Sequence, residues 1–182
     1  MIILERPFPG AALMMSQTHR DERGSFARLF DRTLFENEGW DTVLDHSAES
    51  FNPLAHTLRG LHFQSPPYEE QKLVRCISGS IFDVAVDLRK SSPTFGQYVS
   101  QVLSVENKKQ LWIPEGFAHG FLTLSDTSEF LYKTTDFYDK VSERTILWND
   151  KTLNIDWGYL ANLQLSEKDL SGLSFQSSEF FS

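Results

Sequence analysis

The chain has 182 residues, 40% of them hydrophobic, 13% aromatic and 23% charged, with a formal net charge of −8. That length and composition suit one folded domain over residues 1–182 and exclude a disordered chain. The excess negative charge argues against nucleic acid or an anionic membrane as partner, so an anionic ligand needs a local basic pocket.

The single cysteine, Cys76, forms no internal disulfide, which fits a reducing cytoplasm. The start, MIILERPFPGAALMM, lacks a basic segment ahead of an apolar core and does not read as a signal peptide. No apolar run is long enough to span a membrane. The 15 Phe, 5 Tyr and 4 Trp favour β-structure over a helix bundle.

In chain order, residues 1–30 read as short strands around a turn at Asp21-Glu22-Arg23-Gly24. DRTLFENEGW, residues 31–40, predicts a short helix stopped by glycine. From Leu58 to Tyr138 strand follows strand. KLVRCISGSIFDVAVDL predicts a hairpin turning at Ser78-Gly79. QLWIP, HGFLTL and EFLYKTTDFY come next, separated by Pro-Glu-Gly and by Ser-Asp-Thr-Ser. Strands at this spacing predict an all-β sandwich or barrel. After Trp157 the pattern is mixed: a helical turn started by Ser166, then a polar, Phe-containing end expected to fray.

Several residues on these strands invite chemistry. TLRGLHFQ carries Arg59 and His62 three positions apart. Ideal alternation puts them on opposite faces. They serve one pocket only if the strand bulges, and Gly60 is placed for that; otherwise they are a rim arginine and a core histidine. IPEGFAHGF contains Pro-x-Gly-x-x-His, the second half of the cupin signature, which delivers His119 onto a barrel strand. Metal-binding cupins pair it with an earlier His-x-His, because a divalent metal wants several convergent ligands. Here the matching place reads His62-Phe63-Gln64, which argues against a metal. A barrel-facing Lys72 needs an anion to offset its desolvation, and the alternative is a strand-end lysine reaching water. Tyr132 alternates with Phe130 and Thr134 and by itself reads as a core tyrosine with its hydroxyl bonded. Asp169 is either a polar turn residue or part of a site.

Together these stretches carry a resemblance. DERGSFARLF, TLRGLHFQ, KLVRCISGSIFDVAVDLRKSSPTFG, LSVENKKQLWIPEGFAHGFLTL, EFLYKTTDFY and SEKD resemble, in order and spacing, the dTDP-4-dehydrorhamnose 3,5-epimerase family. The resemblance implies an all-β fold, a cupin-type antiparallel β-barrel or jelly roll with short peripheral helices. It implies a cytoplasmic homodimer whose sites border the partner chain, with no metal or organic cofactor. The implied reaction inverts C3 and/or C5 of a nucleotide-diphospho 4-keto-6-deoxyhexose, the nucleotide being dTDP. The alternative is a C5-only or C3-only epimerase on a related sugar, such as a 3-deoxy or CDP-linked one. By position, the family's catalytic histidine falls on His62, its tyrosine on Tyr132 and the carboxylate that orients the histidine on Asp169. Substrate contacts fall on Arg23, Arg59, Lys72, His119, Glu143 and Lys168.

Two stretches depart from the family pattern. Where the family commonly shows Gln-x-Asn-x-Ser, this chain has His46-Ser47-Ala48-Glu49-Ser50, and Arg28 stands where many members carry Glu. His46 and Arg28 are therefore added to the expected substrate contacts. Ala48 removes an amide partner for a sugar hydroxyl. Two other classes of function remain. A metal-dependent cupin oxygenase requires bound metal. A non-catalytic sugar-binding barrel requires no acid–base pair.

Overall fold

The computed structural model describes residues 1–44, 46–158 and 162–182. Its strands are β1 (Ile2–Glu5), β2 (Ala12–Met15), β3 (Thr18–Asp21), β4 (Gly24–Ala27), β5 (His46–Asn52), β6 (Leu58–Gln64) and β7 (Lys72–Ser78), then β8 (Ser80–Asp87), β9 (Tyr98–Ser104), β10 (Lys109–Ile113), β11 (Phe117–Thr123), β12 (Ser128–Thr134) and β13 (Glu143–Thr145). Two short α-helices, α1 (Arg32–Glu38) and α2 (Glu167–Leu170), lie outside the sheets. No helix of the described residues is long and apolar enough to cross a membrane.

One sheet has the order β1-β2-β10-β7-β12-β5, and the other β13-β6-β11-β8-β9. Leu13, Val74, Leu111 and Phe130 from the first sheet share a core with Ile81, Ala85, Leu103 and Phe121 from the second. The two sheets thus face each other as the cupin-type barrel expected from the sequence. The outer faces are covered too. Leu61, Val84, Val86 and Leu122 pack under Leu153, Trp157 and Phe175 of the C-terminal segment. Met14 and Trp112 pack under Phe35 of α1. That double cover explains why β8, IFDVAVD, is buried almost without interruption rather than alternating with polar residues.

The helix α1 forms where the sequence predicts one and stops at the expected glycine. Asp31 caps its first turn by accepting the Leu34 N–H, and Gly39, in the left-handed region at φ +72°, ends it. The helix buries Phe35, whose ring meets Trp40 and Trp112 edge-on.

Two expectations are corrected. KLVRCISGSIFDVAVDL is not a hairpin: β7 pairs with β10 and β12, while β8 pairs with β9 and β11. Gly79 alone separates the strands, at φ +67°, and one residue is too few for a two-residue hairpin loop. It makes a corner that carries the chain from one sheet to the other. A side chain there would also press on Ser125 and Ser128. Nor is the C-terminal end left to fray. The Phe181 N–H donates to the Leu88 carbonyl and the Lys90 N–H to the Phe181 carbonyl. Glu179 accepts from Ser65 and Arg144, and Phe180 packs edge-on against Phe95 and Phe175. The aromatic residues dock the tail although its composition is polar.

Hairpin β3–β4 forms a two-stranded sheet of its own, joined to neither large sheet. The outer edge of β5 carries no paired strand among the described residues.

Candidate active site

Between the sheets lies a cavity of about 770 Å³, the size of a small-molecule site. Its walls carry His62, Arg59 and His119 from the β13-β6-β11-β8-β9 sheet and Tyr132, Lys72 and His46 from the sheet opposite.

Of the two readings of Arg59 and His62, the one that needs a bulge at Gly60 holds. On β11, His119 stands opposite His62 and Phe121 opposite Arg59, so β6 holds one residue more than its partner over this span. The extra residue turns Arg59 and His62 toward the same cavity. Only glycine fits there. Gly60 lies at φ +114°, and a Cβ would approach the Gly120 Cα to 2.6 Å and the His119 carbonyl oxygen to 2.7 Å.

His62 is oriented from behind. Its Nε2 lies 2.6 Å from Asp169 Oδ1, and Asp169 is only 2% exposed. The same Oδ1 accepts the Gly60 N–H at 3.1 Å, and Oδ2 accepts the Ser166 hydroxyl at 2.6 Å. Ser166 is also the cap of α2, its oxygen accepting the Asp169 N–H. Burial on its own raises the Asp169 pKa. The hydrogen bonds from His62 and Ser166, the His62 charge and the Gly60 amide outweigh it, and the net shift is downward. An ionised Asp169 only accepts hydrogen bonds, so it draws the imidazole proton to Nε2 and leaves the lone pair on Nδ1.

Across the cavity, Tyr132 pairs with Val74 of β7 and Ala48 of β5. Burial and the nearby Glu70 carboxylate push its pKa up, against a smaller opposing effect of Arg59. Its hydroxyl therefore stays protonated at neutral pH and is available to donate. Lys72 forms an ion pair with Glu70 at 2.9 Å, both side chains mostly buried. His119 is buried, with Nε2 2.8 Å from Asp83 Oδ1. Asp83 Oδ2 has no hydrogen-bond partner among the described residues. Glu143 accepts from the Lys168 ammonium and, at 3.0 Å, from the Tyr138 hydroxyl. Burial raises its pKa, but those two bonds with the Lys168 and His62 charges bring it below the ordinary value.

The structure thus brings His62, Tyr132, Arg59, Lys72, His119, Glu143 and His46 to one cavity. Asp169 stands behind His62, and Lys168 reaches the rim through Glu143. Arg23 and Arg28 lie elsewhere in the single chain. Arg23, 84% exposed, pairs with Asp21 at the tip of the β3–β4 hairpin. Arg28 pairs with Asp31, beside α1. Within one chain Arg28 does not line the cavity, and Ala48 lines the wall beside Tyr132 without a polar group.

Glu70, Asp83, Asn52 and Ser166 were missed in the sequence. Asp83 left a trace, as a lone carboxylate inside the apolar run IFDVAV. Ser166 reads in the sequence only as a helix start. Nothing local marked Glu70 or Asn52. Among the described residues no group of three or more His, Cys, Asp or Glu side chains is arranged to hold a metal ion.

Comparison with known proteins gives a consistent set of relatives. The family model described as dTDP-4-dehydrorhamnose 3,5-epimerase matches residues 5–177. The dTDP-4-dehydrorhamnose 3,5-epimerase of Shigella flexneri is 48% identical over 184 residues, covering 100% of this chain and 99% of that protein. The dTDP-6-deoxy-D-glucose-3,5-epimerase of Legionella pneumophila, solved in complex with dTDP-4-keto-L-rhamnose, superposes with a TM-score of 0.92 at 40% identity, covering 98% of this chain and 94% of that one. The Bacillus anthracis dTDP-4-dehydrorhamnose 3,5-epimerase, solved with TDP and PPi bound, gives a TM-score of 0.91 at 38% identity over 95% of this chain and 98% of that one.

Proposed function

The chain belongs to the dTDP-4-dehydrorhamnose 3,5-epimerase family, and on that premise we propose that its cavity inverts C3 and C5 of a dTDP-linked 4-keto-6-deoxyhexose, with His62 as base and Tyr132 as acid. The observation that carries the assignment is their placement on opposite walls of one cavity, on β6 and β12.

The 4-keto group acidifies the C–H bonds at both neighbouring carbons. His62 Nδ1 takes the proton from one of them, and the C–H electron pair moves onto the C4 oxygen as an enolate. Asp169 stabilises the imidazolium that forms. Lys72 and His119, both lining the cavity, stabilise the enolate oxygen in this proposal, the kind of electrostatic contribution that often dominates catalysis. Tyr132 then gives its phenolic proton to the carbon from the opposite face, inverting it. Proton exchange with solvent restores both groups. The same cycle at the second carbon completes the reaction, and no atom is gained or lost overall. Arg59 offers a planar fork to the diphosphate.

The assembly we propose is a homodimer in the cytoplasm. Hairpin β3–β4 pairs with neither large sheet, and a two-stranded hairpin alone is marginal in water. Arg23 and a highly exposed Phe26 stand on it. The edge of β5, unpaired among the described residues, borders the cavity. Laying the hairpin of one protomer along that edge of the other covers both and brings Arg23 to the neighbouring site.

The test is incubation with dTDP-4-keto-6-deoxyglucose in deuterated water. The expected result is deuterium at C3 and C5 by NMR with inversion at both, and its near-complete loss in His62→Ala. Absence of exchange in the wild-type protein, or exchange at an undiminished rate in His62→Ala, overturns the assignment.

A further inference from the structure

Asn52 is fully buried at the end of β5, and every polar atom of its amide is committed. Its Nδ2 donates to the Ser128 carbonyl at 3.4 Å and to the Ser50 carbonyl and hydroxyl, each at 3.3 Å. Its Oδ1 accepts from Arg59 Nε at 3.0 Å. Those partners fix which way the amide faces. Turned over, it would set an N–H donor against the guanidinium and a carbonyl oxygen against the Ser128 carbonyl. Asn52 belongs to one sheet and Arg59 to the other, so the bond ties the two together beside the cavity.

The atom it holds matters. Arg59 is an exposed, long side chain with four rotatable bonds, and free in solution it samples many rotamers. The bond from Asn52 uses Nε and neither Nη group. Holding the fork by Nε leaves the edge formed by the two Nη groups to be presented to an anion, and orders the side chain before the anion arrives.

We propose that Asn52 is a positioning residue that pre-orders Arg59 for the diphosphate of the sugar nucleotide. The inference rests on the reading of Arg59 as the diphosphate contact. Asn52 is absent from the cavity wall and acts only through Arg59, so its removal weakens binding and spares the chemical step. Releasing one rotamer-rich side chain corresponds to about three- to tenfold in affinity.

The experiment is a double-mutant cycle on the whole protein, with dTDP as the probe and its Kd measured by titration calorimetry. Asn52→Ala should raise Kd about three- to tenfold and raise KM similarly, with kcat within twofold of wild type. In an Arg59→Ala background the same substitution should leave Kd unchanged. An equal weakening in both backgrounds overturns the inference, because a general loss of structure would act without Arg59. So does an unchanged Kd in Asn52→Ala. If Arg59→Ala itself leaves Kd unaltered, the assignment of Arg59 fails and the inference falls with it, a result recognisable from that single variant. Should Asn52→Ala not fold, Asn52→Ser goes through the same cycle. Its hydroxyl keeps a polar group in the buried site, and its shorter side chain gives up Arg59.

Discussion

Replacing Asp169 by Asn isolates the orientation of His62 from the shape of the cavity. The carboxylate accepts from His62 Nε2, the Gly60 amide and the Ser166 hydroxyl, and an amide cannot serve all three in the same way. If its NH2 group faces His62, the imidazole proton moves to Nδ1 and the lone pair leaves the cavity. If it faces Ser166, the tautomer survives but the charge that stabilises the imidazolium is gone. Either way the contribution of a general base, typically about 10² to 10⁴ in rate, is largely lost. KM should stay within about threefold, because Asp169 is not part of the cavity wall. The measurement is kcat by deuterium wash-in at C3 and C5, with KM from the same series. A kcat within threefold of wild type refutes the account. Stability supplies a second readout. A charge-assisted hydrogen bond contributes about 1.5–3 kcal/mol, and each kcal/mol moves Tm by roughly 2–4 °C in a chain of this size. Asp169→Asn should therefore melt about 3–12 °C lower at neutral pH. Since the folded pKa of Asp169 is lowered, its contribution is complete above the unfolded aspartate value, about 3.9. It fades as pH falls through the lower folded value. The gap in Tm between variant and wild type should narrow over that acid range, and a gap independent of pH contradicts the sign of the shift.

Tyr132→Phe should still wash in deuterium through His62 but fail to invert fully the carbon that Tyr132 serves, as read by NMR of the recovered sugar. Normal inversion assigns the donor elsewhere. Gly60→Ala should lower stability by roughly 1–3 kcal/mol, because its Cβ would overlap the Gly120 backbone. It should lower kcat as well, because the bulge that aims His62 is displaced; a variant matching wild type in both Tm and kcat refutes the need for glycine. Ala48→Asn supplies an amide beside Tyr132, and a hydroxyl that gains a partner is stabilised by about 0.5–1.5 kcal/mol. That variant should improve kcat/KM for the fully hydroxylated dTDP sugar by up to roughly tenfold while leaving a 3-deoxy analogue unimproved, and equal changes for both sugars argue against a hydroxyl at this wall.

Much of the scaffold was legible because its cues are local. Gly39 marked the end of α1, Gly60 the place for a bulge, and Ser166 the start of α2. The corner at Gly79 was not legible. Strands of a hairpin and strands of two sheets show the same alternation around the same glycine, and only their partners tell them apart. The tail misled for a related reason: polar composition predicts fraying, but Phe175, Phe180 and Phe181 find apolar partners supplied by distant strands. The site divides along the same line. His62, Tyr132 and Lys72 could be singled out by residue type and position. The groups that hold Arg59, Lys72 and His119 could not, since Asn52, Glu70 and Asp83 gain meaning only from what the barrel places beside them. What the fold adds is the separation of roles. A base and an acid on one wall could shuttle a proton to and from one face of a sugar ring. On the facing walls of β6 and β12 they can remove it from one side and return it to the other, and inversion requires that arrangement.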